Sequence, residues 1–220
     1  MPSKTREHSQ EIHDYIAESS IRYPAAMNDL VEVTAQHERS RMATTPVQGQ
    51  FLAFLMKSIG ATRGIEVGVF TGIGTLWMAE AVGPVGTVIA CDVSEEYTSV
   101  GREYWQRAGV ADRIDLRLAP AADTLKALAD AGESETFDFC YIDADKEAYG
   151  EYYDLALPLM RRGGIIAFDN MLLGGRVVDK AVEDEPVPTI RALNERLKRD
   201  DRVDVSFLPL CDGVYLARKR

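Results

Sequence analysis

Four times in this chain a short apolar run stops on an acidic residue: Ile65-Glu66, Val88-Ile89-Ala90-Cys91-Asp92, Phe139-Cys140-Tyr141-Ile142-Asp143 and Ile165-Ile166-Ala167-Phe168-Asp169. A further run ends near Leu118. Helix-length stretches separate these runs, which predicts right-handed crossovers and a mostly parallel sheet with helices on both faces. The four carboxylates then gather at the carboxyl rim of one sheet, where open α/β folds hold their ligands. A buried strand needs no acid at its end, and like charges at one rim repel unless cations or hydroxyl groups meet them. The pattern reads as a binding site.

A length of 220 residues, 46% of them hydrophobic, suits a single domain over 1–220 with a full core. We expect an N-terminal helical segment over 1–60 and the sheet-bearing core over 61–220. Residues 6–40 read as helix broken near Tyr23-Pro24. A second helix opens at Thr44-Thr45-Pro46, with a hydroxyl cap and a proline in its first turn. The tail reads as a helix over about 188–199, then strands over Val203–Leu208 and Gly213–Ala217, antiparallel because so short a turn joins them. Residues 174–186 read as a charged loop, a lid over the rim. The net charge of −10 opposes non-specific nucleic-acid binding. No apolar run is long enough to span a membrane, and Met1–Glu7 lacks the apolar stretch of a secretory signal. Cys91, Cys140 and Cys211 are each placed in strands and read as reduced thiols of a cytoplasmic protein.

The turn Glu66-Val67-Gly68-Val69-Phe70-Thr71-Gly72-Ile73-Gly74 follows the first strand and opens a helix. Glycines let a ligand lie against bare backbone. A dinucleotide fingerprint needs a glycine where Phe70 stands, and Glu66 repels phosphate but suits a cation. Asp92, ending the second strand, is placed to accept both hydroxyls of a ribose. A nucleoside with a positively charged tail meets these terms, and S-adenosylmethionine is such a molecule.

A second constellation lies at Asp143-Ala144-Asp145-Lys146 and Asp169-Asn170, which end strands expected to be neighbours. Singly, Asp143 or Asp169 could be a helix cap. Together, two carboxylates and the Asn170 amide oxygen make a hard-oxygen set suited to Mg²⁺, or to Mn²⁺ or Ca²⁺. His8, His13 and His37 have no metal-ligand spacing and read as surface or helix–helix residues. Trp77 and Trp105 read as core or interface. Tyr149, Tyr152 and Tyr153 are explained equally by sheet packing or, for one of them, by a place in an acceptor wall.

With these residues the chain resembles the cation-dependent class I O-methyltransferases, the group containing caffeoyl-CoA and catechol O-methyltransferases. The resemblance covers roughly residues 42–217 and is carried by Thr44 to Gln50, Glu66 to Gly72, Cys91-Asp92, Ala108 to Ala111, Tyr141 to Lys146, Asp169-Asn170 and Asp212-Gly213. It looks nearest to bacterial small-catechol members of secondary metabolism. The resemblance implies a Rossmann-like, mostly parallel seven-stranded sheet with its last strand antiparallel, extra N-terminal helices, and a homodimer. It further implies that S-adenosylmethionine is held by Thr44, Glu66, Gly68, Val69, Phe70, Gly72, Gly74, Thr75, Asp92, Ala121 and Asp143. Thr44 would contact the amino-acid portion and Ala121 the adenine edge. Asp143, Asp169 and Asn170 would bind the cation, and Lys146 and Asp143 would be catalytic, Lys146 standing beside the hydroxyl to be methylated.

Three departures concern the pocket. Gly74 stands where many relatives carry a serine that helps hold the methionine carboxylate, leaving that part to Thr75 or to backbone N–H groups. Met171-Leu172-Leu173 lacks an aromatic wall, and Ser206 stands where the mammalian catechol enzymes have an acid. The acceptor implied is an aromatic vicinal diol; a caffeoyl-CoA-like thioester or a flavonoid is the alternative. A nicotinamide-dependent oxidoreductase, disfavoured by Phe70, and a non-catalytic nucleoside-binding protein, which leaves the second constellation idle, are the remote alternatives. The sequence does not choose between Lys146 as a base and as a charge partner for a phenolate; without the resemblance, a solvated lysine at a helix start, paired with Asp145 or Glu147, is the better reading.

Overall fold

The computed structural model describes residues 9–220. His8 and the first residues of the helix expected from residue 6 lie outside the described residues. The helix breaks where Tyr23-Pro24 suggested: α1 covers Gln10–Ser20 and α2 covers Met27–Ala35, before a 3₁₀ turn over Ser40–Met42 and α3 over Pro46–Ser58. At the start of α3 the Thr45 hydroxyl accepts a hydrogen bond from the Gln48 N–H at 3.3 Å. Pro46 fills the first helical position, where its missing N–H removes nothing.

The core then alternates strand and helix: β1 Arg63–Val67, α4 Ile73–Ala81, β2 Thr87–Asp92, α5 Glu95–Arg107, β3 Ile114–Leu118, α6 Ala121–Asp130, β4 Phe137–Ile142, α7 Tyr149–Leu159, β5 Met160–Phe168, α8 Val187–Arg199, β6 Val203–Leu208 and β7 Val214–Lys219. The strands form one seven-stranded sheet in the order β3-β2-β1-β4-β5-β7-β6. The first five run parallel, and β7 inserts antiparallel between β5 and β6. All six residues of β4 are buried, which is why the run from Phe139 to Ile142 does not alternate with polar residues; the one charge in the strand, Asp138, is met by partners at its amino end.

Alternate residues of each strand feed two separate layers of core. Cys140, Ile142 and Phe168 pack beneath α6, α7 and α8. Phe139, Tyr141 and Ala167 pack on the opposite face with α3, α4 and α5. Strand order reverses between β1 and β4, so the loops leaving those two strands open a crevice at the carboxyl rim. At the opposite edge, one Asp138 oxygen accepts from the N–H groups of Thr62 (2.8 Å) and Arg63 (2.9 Å), and the other pairs with Arg161. Burial opposes the charge on Asp138, but Arg161 and the two backbone donors outweigh it and hold the carboxyl below its ordinary value.

Cys91 and Cys140 lie buried in strands, whereas Cys211 corrects the expectation: it sits exposed in the turn between β6 and β7, in left-handed backbone with φ 51°. The segment 174–186 is tied down more firmly than a free lid. Arg191 on α8 donates to the carbonyls of Val177 (2.9 Å) and Val182 (2.8 Å). Among the described residues, no helix is long and apolar enough to cross a membrane.

Candidate active site

A cavity of about 720 Å³ opens at the reversal between β1 and β4. Its first wall is the glycine turn. Gly68 adopts φ 94°, and a Cβ there would lie 2.1 Å from the Asp143 carbonyl oxygen. Only a bare Cα lets the loops after β1 and β4 approach this closely. Phe70 holds a left-handed φ of 52°, uncommon for a non-glycine residue. Its ring packs edge-on against His37 at 5.1 Å and Tyr97 at 5.2 Å, an aromatic cluster that braces the turn from α5 and from the segment after α2. The Thr34 hydroxyl on α2 bonds the Thr71 hydroxyl at 2.7 Å. Of the two readings for His37, surface or helix–helix, the packing gives the second: it sits after α2 against Tyr97 of α5 and braces the turn through Phe70.

Asp92 is engaged by the protein's own backbone. One carboxylate oxygen accepts from the N–H groups of Val69 and Phe70, both at 2.9 Å, and the other accepts from Ser94 N–H at 2.8 Å. The acid thus shapes the turn, and of its four lone-pair sites one, on the oxygen that meets Ser94, is left at the cavity that Asp92 lines.

Thr44, Gly68, Val69, Phe70, Gly74, Asp92, Ala121, Asp143, Lys146, Asp169 and Asn170 all line this one cavity. Glu66, Gly72 and Thr75 do not; they lie behind the turn. Glu66 is 1% exposed and accepts a hydrogen bond from the Thr75 hydroxyl. Burial pushes its carboxyl well above the ordinary range; the Thr75 bond offsets part of this, and the charges of Asp143 and Asp92 add to it. A Cβ on Gly74 would sit 2.3 Å from Glu66 Oε1, so the bare Gly74 leaves the space that this folded-under carboxyl fills. Gly72 faces Trp105, whose indole N–H donates to the Gly72 carbonyl at 3.1 Å.

The second wall joins β4 to β5, which are hydrogen-bonded neighbours. Lys146 donates to Asp143 Oδ1 and to the Ala144 carbonyl, both at 3.0 Å. Asp169 accepts from the Asn170 N–H at 2.7 Å and from the Tyr141 hydroxyl at 2.8 Å. Burial, then the nearby Asp169 charge, raises the Asp143 carboxyl to about 6, against the pull of Lys146. Asn170 adopts a left-handed φ of 54°, a conformation asparagine tolerates better than most residues. Among the described residues, no trio of His, Cys, Asp and Glu side chains forms a metal cluster. Any cation here would rest on two carboxylates and an amide oxygen, a set that fits a hard divalent ion and leaves positions for water or a substrate.

Several site residues carry no local sequence signal. Tyr152, one of three tyrosines left open above, donates its hydroxyl to Asp145 Oδ1 at 2.7 Å, and both residues line the cavity. Tyr97, Arg41 and Met42 also contribute to the wall. Tyr141 hides a hydroxyl among the apolar residues Phe139, Cys140 and Ile142 of β4. No residue of the segment 174–186 lines the cavity, so the expected lid does not cover it.

A Rossmann-like sheet with an added antiparallel strand, and a cavity combining a glycine turn, a strand-end acid and paired carboxylates, define a nucleoside-binding α/β enzyme class. Residues 17–220 match the O-methyltransferase family, and the chain belongs to it. It is 42% identical over 215 residues to "Probable caffeoyl-CoA O-methyltransferase 2" of Dictyostelium discoideum, covering 97% of this chain and 93% of that protein. "Catechol O-methyltransferase domain-containing protein 1" of Mus musculus is 40% identical, with 93% of this chain and 78% of that one covered. Among solved structures, an O-methyltransferase from Bacillus cereus in complex with SAH is 29% identical and superposes with a TM-score of 0.86, covering 96% of this chain and 97% of that one.

Proposed function

We propose that this O-methyltransferase moves the methyl group of S-adenosylmethionine to one hydroxyl of an aromatic vicinal diol, with a divalent cation, Mg²⁺ first, held by Asp143, Asp169 and Asn170. One observation carries the reading: a buried carboxylate, Asp169, and a part-buried one, Asp143, end neighbouring strands, approach the same Tyr141 hydroxyl at 2.8 and 3.4 Å, and share a cavity with the glycine turn and Asp92. Such a pair gains from a cation that meets both charges. The SAH-bound relative supports the choice of nucleoside.

Bound at these positions, the cation supplies a Lewis-acid charge that favours the ionised phenol, and the sulfonium supplies the methyl. The protein's own part is placement. Asp92 has one acceptor site left, on the oxygen that meets Ser94, which would take a ribose hydroxyl while its other three bonds keep the turn in shape. Thr44 and the N–H groups opening α4 would hold the amino-acid tail, and Ala121 the adenine edge; all line the one cavity. An ammonium has three N–H donors. Asp143 and the Ala144 carbonyl take two from Lys146, so one remains to hold the oxygen of the acceptor in its charged form. Holding the oxygen and the methyl in line is worth much of the barrier.

The names of the relatives favour a second acceptor, a caffeoyl-CoA-like thioester. Incubation with S-adenosylmethionine, Mg²⁺ and a panel of free catechols, flavonoids and one caffeoyl thioester, read by mass spectrometry, separates the two. We expect methyl gain on the free diols and none after rigorous chelation. Gain on the thioester alone shifts the assignment to the second acceptor, full activity without metal removes the cation, and no gain on any diol refutes the reaction. We further read the enzyme as a cytoplasmic homodimer of secondary metabolism; α1 buries none of its residues and exposes Ile12, Tyr15 and Ile16, which supports a covering partner copy.

A further inference from the structure

We propose that Tyr141 is a positioning residue of the cation centre, the middle member of a buried hydrogen-bond chain from Gln48 through Tyr141 to Asp169 that fixes the Asp169 carboxylate toward the cavity. The inference rests on the cation reading above and adds a role for residues outside the ligand set. Tyr141 is fully buried in β4, where its strand neighbours Phe139, Cys140 and Ile142 are apolar. A phenylalanine would satisfy the packing of that site equally well. The hydroxyl is what a phenylalanine would lack, and a buried hydroxyl must be bonded to repay its desolvation.

Its neighbours are all polar groups of the site. The side-chain amide of Gln48, 1% exposed on α3, donates to the Tyr141 oxygen at 2.9 Å. The Thr44 hydroxyl lies at 3.3 Å. Asp169 Oδ2 is at 2.8 Å, and Asp143 Oδ2 is at 3.4 Å. A phenol has one hydrogen to give, and the shorter distance assigns it to Asp169. The other Asp169 oxygen takes the Asn170 N–H at 2.7 Å. One donor on each oxygen fixes the plane of the carboxylate, and each oxygen keeps a further lone pair for a cation. Helix α3, strand β4 and strand β5 are thereby tied at one point. Groups that orient a metal ligand in this way are worth roughly 10–100-fold in metal affinity.

The test is calorimetric titration of Mn²⁺ into the full chain, with affinity for S-adenosylhomocysteine measured on the same preparations. Tyr141→Phe is expected to weaken Mn²⁺ binding about 10–100-fold while changing S-adenosylhomocysteine affinity less than about twofold. Gln48→Leu reaches Asp169 only through the phenol, so it should weaken Mn²⁺ less, and adding it to Tyr141→Phe should cost nothing further. It also serves as the readable variant if Tyr141→Phe does not fold. Mn²⁺ affinity in Tyr141→Phe within twofold of the parent overturns the inference, as does an equal fall in both affinities, which would mark general loosening. A parent chain that takes up no Mn²⁺ overturns the cation reading itself, and this inference with it.

Discussion

Replacing Asp92 by alanine should damage the protein twice, and the two losses are separable. In the ligand-free chain the carboxylate accepts from the N–H groups of Val69, Phe70 and Ser94 at 2.8–2.9 Å. Hydrogen bonds to a charged group contribute about 1.5–3 kcal/mol each at most. The freed donors border an open cavity and regain water, so the expected loss of folding stability is about 2–4 kcal/mol in all. For a chain of this size that lowers the melting temperature by about 5–15 °C. The ribose bond accounts for a further loss of about 1–3 kcal/mol in cofactor affinity, or roughly 5–150-fold. Asp92→Asn should fall between alanine and the parent, because its amide must turn N–H groups toward one of the three backbone donors. Thermal unfolding without ligand reads the first loss, and calorimetry with S-adenosylhomocysteine reads the second. A variant melting within about 1 °C of the parent refutes the brace, and an unchanged affinity refutes the ribose contact.

Asp138→Asn should cost about 1–3 kcal/mol at neutral pH, since it removes the charge that Arg161, Thr62 and Arg63 all address. The Asp138 carboxyl titrates lower in the folded chain than unfolded. Its stabilisation is therefore complete above the unfolded value, about 3.9, and lost as pH falls through the folded value. Urea melts should show the gap between parent and variant closing below about pH 4, and an equal gap at pH 3 and pH 7 contradicts the linkage. Light scattering should return twice the mass of one chain, and a monomer would remove the partner copy read from α1.

The strands were legible because burial on both faces of a parallel sheet leaves unbroken apolar runs, and the acids at their ends stand out against them. Thr45-Pro46 marked the start of α3 through chemistry confined to a few neighbouring residues. The contents of the site were harder to read. Tyr141 looks like one more aromatic of a core strand, since its meeting with Gln48 joins α3 to β4 across 93 residues of chain. Glu66 has the position of a ligand-facing acid, yet the space beside Gly74 lets it turn under the loop and bond Thr75. Cys211 follows an apolar run closely enough to pass for its continuation, and only the left-handed backbone places it in the turn. Placement along the chain was local information; the direction of a side chain depended on distant packing.

Because β7 runs against its neighbours, the turn that precedes it comes back to the ligand-bearing edge. Leu172 N–H donates to the Asp212 carbonyl and Met171 N–H to that of Gly213, while Gly174 N–H bonds the Asp212 carboxylate. The Cys211 thiol meets the Thr45 hydroxyl. A polypeptide cut ahead of β6 would keep the glycine turn and Asp92 and lose the buttress behind Asn170. The loop that carries Asn170 is thus propped by a part of the chain remote from the glycine turn, so damage to the tail should reach one wall of the cavity and spare the other.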